Sequence, residues 1–206
     1  MKKSSEKSAE KPEVIVIGGA AGSVRFLLSL APALGTDLGI PFLVVIHRMR
    51  NEESRLGQIL DYRLDLPVKE ADEKDEIRPG VMYVAPPDYH LLVEDDRTLT
   101  LVDMELVKYS RPSIDVTFTS VSEVYGSAAV AILLSGANDD GTSGLAAIAH
   151  AGGRAIAQDP AASEVDTMPK SSIEVVEECE VMGRKEMMAY LNSLRSVASR
   201  TGGHPA

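Results

Sequence analysis

The run EVIVIGG, residues 13–19, passes without a break into AAGSVRFLLSLAPALG, residues 20–35. The first stretch is short, β-branched and lacks polar alternation, the pattern of a strand covered on both faces. The second places Phe26, Leu27, Leu30, Ala31 and Leu34 on one helical face, and Gly35 stops it. PFLVVIH, residues 41–47, reads as a second buried strand, followed by a helix carrying Leu56, Ile59, Leu60 and Leu64. Strand, glycine-rich turn, helix, strand is the βαβ order, which calls for parallel pairing.

Outward from this unit the pattern changes and then returns. VMYVAP, HLLVE and TLTLV are short extended runs between residues 81 and 102. The last two are joined by Asp95-Asp96-Arg97, a hairpin turn, so an antiparallel appendage is expected there. SIDVTFTSVSEVYG then reads as a helix with Ile114, Phe118, Val121 and Tyr125 on one stripe and Ser113 as its cap. AAVAILLSG is a buried strand ending at Gly136, TSGLAAIAHAGG a helix closed by glycine, and RAIAQ another strand. From Met168 to about Ser199 the pattern is mostly helical, with an extended piece at Glu180 to Met182. The predicted fold is α/β: a doubly wound, mostly parallel sheet flanked by helices, with a small antiparallel hairpin. Residues 13–195 read as one domain, between a polar lead-in (1–12) and a flexible tail (196–206).

Composition narrows the class. Hydrophobic residues at 44% and charged residues at 25% match ordinary globular usage. A formal net charge of -10 argues against a nucleic-acid partner, whose phosphates reward Lys and Arg. It also disfavours anionic membrane surfaces. No apolar run approaches the ~20 residues of a membrane span, so membrane insertion is not expected. Cys179 is the single cysteine, which rules out an internal disulfide and fits a cytoplasmic setting. It reads as a small packing side chain.

In an open parallel sheet, ligands bind beyond the carboxyl ends of the strands. That rule selects Gly18 to Ser23 after the first strand, His47-Arg48-Met49 at the end of the second, and Gly136 to Gly141 after the later buried strand. A dinucleotide fingerprint needs glycine where Ala20 and Ser23 stand, and an acidic residue where His47 stands. A nucleophile turn needs Ser or Cys at the corner. His47 taken singly is a strand-end structural residue; paired with an orienting carboxylate it becomes a general base. Asp139-Asp140-Gly141 fits either that carboxylate or a helix cap.

These segments resemble the CheB-type protein-glutamate methylesterases. VIGGAAGS is similar to the family's glycine-serine turn, with Ala20 where the family has serine, and VVIHRM resembles its strand ending in a catalytic histidine at His47. APPDYH (85–90), YSRPSID (109–115), LLSGANDDGTSG (133–144) and AQDPAASEVDTMP (157–169) match further blocks in order, and the family's catalytic aspartate aligns with Asp140. The resemblance implies hydrolysis of glutamyl methyl esters on chemoreceptor cytoplasmic helices, with methanol released and with glutamine deamidation in many members. It implies no metal and no organic cofactor. Serine attacks, His47 serves as base and then acid, and Asp140 orients the imidazole. The amides of Ala21 and Ala137 are oxyanion candidates, and Arg111 and Met168 are expected to border the substrate cleft.

Two departures qualify that picture. Family members often carry an N-terminal receiver domain, and here only polar residues precede the first strand, so a stand-alone catalytic domain without that switch is expected. Alanine at position 20 has no nucleophilic oxygen, so the usual covalent route is closed. Ser23, three residues on, reads as a helix-terminal residue bonding a free amide rather than as a substitute. A deliberate inactivating replacement and a natural pseudoenzyme both fit this pattern.

Overall fold

The structure is a computed structural model that describes residues 11–47 and 55–195. Its centre is a seven-stranded sheet in which every pairing is parallel, in the order β3-β4-β2-β1-β7-β8-β9. The strands are β1 (Val14–Gly19), β2 (Phe42–Ile46), β3 (Val68–Glu70), β4 (Met82–Val84), β7 (Ala129–Leu133), β8 (Arg154–Gln158) and β9 (Glu180–Met182). A separate antiparallel pair is made by β5 (His90–Val93) and β6 (Leu99–Val102). The helices are α1 (Ser23–Ser29), α2 (Leu56–Arg63), α3 (Ile114–Tyr125), α4 (Thr142–His150), α5 (Thr167–Val175) and α6 (Arg184–Ser193).

The central strands lack polar alternation because both faces are covered. Ile15, Ile17, Val44 and Ile46 pack with Leu27 of α1, Leu60 of α2 and Leu191 of α6. Their neighbours Val14, Val16, Leu43 and Val45 point the other way, into a core with Phe118 of α3, Leu145 of α4 and Leu91 of the hairpin. Burial of a large aliphatic side chain contributes roughly 1.5–3 kcal/mol, so this two-sided packing fixes strand register.

The expected hairpin forms, and its turn is closed by Arg97 N–H to Glu94 O at 2.8 Å. Met82–Val84 does not join it: β4 pairs with β2 in the main sheet and is buried along its length. The first helix ends at Ser29, short of the expected Leu34. Pro32 cannot donate to a continuing helix, and Ala31–Ala33 forms a 3-10 turn instead. Strand β3, VKE at the sheet edge with Lys69 and Glu70 exposed, is too short and polar to be marked in advance by a hydrophobic run. Most of the expected lead-in and all of the expected tail lie outside the described residues, as do Arg48 and Met49.

Strand order reverses at β1: the chain runs through β2 to β3 at the edge, steps back to β4 between them, then crosses to β7 on the other flank. The crevice beyond the carboxyl ends of β1, β2 and β7 is therefore the site the topology creates. No helix among the described residues is long and apolar enough to cross a membrane.

Candidate active site

Register brings the corner, the histidine and the aspartate loop to one sheet edge. Gly19 is opposite Ile46, and His47 N–H donates to Gly19 O at 2.9 Å, which sets Ala20 beside His47. On the other flank Ala20 N–H donates to Ser135 O at 2.8 Å, just before the Gly136–Gly141 loop. The corner is further fixed by Ser135, whose Oγ donates to Ala21 O at 2.6 Å and accepts from Val165 N–H at 2.9 Å. Gly22 turns the chain with φ +81, and a Cβ there would meet Glu164 Cβ at 2.5 Å.

His47 Nε2 is 2.7 Å from Asp140 Oδ2. Asp140 is fully buried and its carboxylate is saturated. Oδ2 also accepts from Ile114 N–H at 2.8 Å, while Oδ1 accepts from Ser113 Oγ at 2.9 Å and Asp115 N–H at 3.0 Å. The carboxylate thus sits on the N-terminus of α3, whose orphan amides and dipole favour negative charge. Burial pushes the Asp140 carboxyl up, but hydrogen bonds from His47, Ile114 and Asp115 outweigh it and hold the group below its ordinary value. An ionised Asp140 accepts a hydrogen bond from Nε2–H of a neutral His47 and so leaves Nδ1 as the ring's lone pair.

Asp115 returns the favour to the next helix. Its Oδ1 accepts from Gly144 N–H of α4 at 2.8 Å, and its Oδ2 pairs with Lys108 Nζ at 2.9 Å. Lys108 also reaches Asp139 Oδ2 at 3.0 Å and Asp139 O at 2.9 Å, tying the aspartate loop to the segment before α3. Gly141 allows this loop to turn: it has φ +93, and a Cβ would meet Leu133 Cδ1 at 2.6 Å and Ile114 Cγ2 at 2.7 Å.

The other expected site residues fall in several environments. Ala21 and Ala137 are exposed, and their amides have no hydrogen-bond partner among the described residues. Arg111 donates to Asp103 and to Met104 O, lines an open depression with Glu105, Leu106, Lys108 and Tyr109, and follows an acid-rich strap. Met168 is fully buried and packed against Gly136, where the aspartate loop begins. Ser23 is also fully buried, its Oγ donating to Ala20 O at 2.5 Å. Cys179 is partly buried, and burial pushes its thiol up to about 11.

Two residues go unmarked by the sequence motifs. Ser110 Oγ lies 3.3 Å from His47 Nδ1, on the ring nitrogen opposite Asp140. His90 is fully buried; its Nδ1 accepts from Ser113 N–H at 3.1 Å, so its Nε2–H donates to Glu105 O at 3.0 Å. That histidine braces both ends of the strap that carries Ser110. Both sit inside or beside blocks noted in the sequence (APPDYH and YSRPSID), but their roles depend on contacts that spacing does not encode.

An open parallel sheet with a histidine on a buried aspartate and a glycine turn at its carboxyl edge is the frame of a nucleophile–histidine–aspartate hydrolase. The chain belongs to the CheB methylesterase family, whose family model matches residues 15–191. A Leptospira interrogans relative that bears the name protein-glutamate methylesterase/protein-glutamine glutaminase provisionally is 44% identical over 162 residues, 79% of this chain and 84% of the relative. The Thermotoga maritima protein-glutamate methylesterase/protein-glutamine glutaminase is 34% identical over 171 residues, 82% of this chain, and the match spans 50% of that relative's length. The crystal structure of the Thermotoga maritima CheB methylesterase catalytic domain superposes with a TM-score of 0.83 at 31% identity, covering 90% of this chain and 100% of that one.

Proposed function

We propose that this cleft is built to hydrolyse glutamyl methyl esters on methylated chemoreceptor helices, and that Ala20 withholds its usual nucleophile. The observation that carries the reading is the 2.7 Å His47–Asp140 pair beside the corner at Ala20. In the reading, a hydroxyl at the corner attacks the ester carbonyl and His47 takes its proton. Asp140 stabilises the imidazolium that forms, and the amides of Ala21 and Ala137 are the donors offered to the developing oxyanion. Glutamine deamidation follows the same path with ammonia as the leaving group.

The test is Ala20→Ser, assayed by methanol release from methylated receptor. A triad serine contributes on the order of 10⁶ in turnover, so the variant is expected to exceed the parent by several orders of magnitude. A folded variant without methanol release would falsify the reading. The missing corner hydroxyl also favours a second reading, a non-catalytic module that grips a receptor or signalling partner through this cleft. It requires the unmodified chain to bind receptor tails in a titration, and an absence of binding removes it.

A further inference from the structure

The unmodified chain still carries a serine aligned with its histidine and aspartate. Ser110 Oγ, His47 and Asp140 form a continuous line: 3.3 Å from Oγ to Nδ1, then 2.7 Å from Nε2 to the carboxylate. With Nε2–H committed to Asp140, the lone pair that faces Ser110 is the basic one. A separation of 3.3 Å is loose for a hydrogen bond, but nucleophile–base contacts are often loose without substrate and tighten in the complex.

The position is built with some effort. Lys108 and Tyr109 both have positive φ, 47° and 64°. Neither is glycine, and such a backbone persists where its surroundings over-determine it. Val107 and Ser110 exchange backbone hydrogen bonds of 3.2 and 2.8 Å across these residues, the pattern of a tight type I′ turn that delivers Ser110 at its exit. Lys108 staples the turn to Asp115 and Asp139, and His90 braces the strap at Glu105 and Ser113.

The other serines around the site are spoken for. Ser23 Oγ donates to Ala20 O, Ser113 Oγ to Asp140, and Ser135 Oγ to Ala21 O, and all three residues are fully buried. Ser110 is half-buried, and its hydroxyl has the His47 ring as its partner.

We infer that Ser110 acts as a nucleophile in this chain, giving the cleft a covalent route that does not pass through position 20. The inference rests on the ester-hydrolase reading of the cleft. In the step, Ser110 Oγ bonds to the ester carbonyl carbon as its proton passes to His47 Nδ1. Collapse of the tetrahedral adduct breaks the C–OCH₃ bond, and the imidazolium returns the proton so that methanol leaves. Water, deprotonated by His47, then hydrolyses the acyl-Ser110 ester to the free glutamate carboxylate and restores the hydroxyl.

The experiment treats the intact chain with an alkyl fluorophosphonate, which loses fluoride to an activated serine, and locates the adduct by peptide mass. In parallel it treats Ser110→Ala, His47→Gln and Ala20→Ser, each checked for folding by thermal unfolding. The expected result is an adduct on Ser110 in the parent that is lost in Ser110→Ala and reduced at least tenfold in His47→Gln. A hydroxyl that merely orients His47 forms no covalent bond, so the adduct separates the two roles. An unlabelled Ser110 alongside a labelled position 20 in Ala20→Ser overturns the inference and leaves the ester-hydrolase reading standing. Folded chains with no adduct at either position overturn both.

Discussion

The corner at Ala20 and the turn that ends at Ser110 both reach His47, but they are held in different ways. The corner is set by the backbone of three parallel strands: Ala20 N–H on Ser135 O, His47 N–H on Gly19 O, and the β1–β2 register behind them. The turn is set largely by side chains, with Lys108 on two carboxylates and His90 on the strap. A position made by strand register persists whatever side chain it bears, so the corner keeps its geometry with alanine in place. A position made by side chains lasts only as long as they do.

Asp140 is the group on which both depend, and its loss is expected to have the largest effect. Asp140→Ala leaves the Ile114 and Asp115 amides, Ser113 Oγ and His47 without their shared acceptor, and breaking a buried pair in this way costs about 3 kcal/mol. The shift is read from the denaturant midpoint at unchanged m-value. The pH dependence has a definite sign. Because the folded carboxyl is held below its ordinary value, its contribution is complete above the unfolded carboxylate pKa of about 3.9. It fades as pH falls through the folded value. The gap between parent and Asp140→Ala is therefore constant near neutrality and closes in acid; a gap that widened in acid would contradict the saturated-carboxylate picture.

A smaller effect sharpens the contrast between the two turns. Lys108→Met keeps the aliphatic stem but removes the staple, and partly exposed ion pairs are worth up to about 1 kcal/mol each. The difference from the parent is expected to shrink as salt rises to about 1 M, where screening is strong. An effect indifferent to salt would place the staple's value in packing instead.

The smallest effect serves as a control on the electrostatics. Burial pushes up both Asp140 and Cys179, but Cys179 lacks the converging donors that reverse it, and its thiol stands at about 11. Iodoacetamide is therefore expected to modify Cys179 slowly at pH 8, with the rate climbing toward pH 11. Fast alkylation at neutral pH would contradict a thiol held up by burial.

The parallel core was legible in the residues, because β-branched runs without polar alternation have to be covered on both faces; so were His47 at a strand end and Asp140 in the loop after another, where ligands gather in such a sheet. The residues also showed that position 20 lacks an oxygen. The remainder lies in contacts between segments far apart in the chain. The edge strand β3 and the transfer of Met82–Val84 into the main sheet follow from pairing partners that local pattern does not name. Likewise, the N-terminus of α3 docks on the Asp140 carboxylate and the strap swings Ser110 onto His47, across 63 residues of chain. Hydrophobic periodicity reports how each element is covered; which polar groups then meet is settled by three-dimensional packing of those elements.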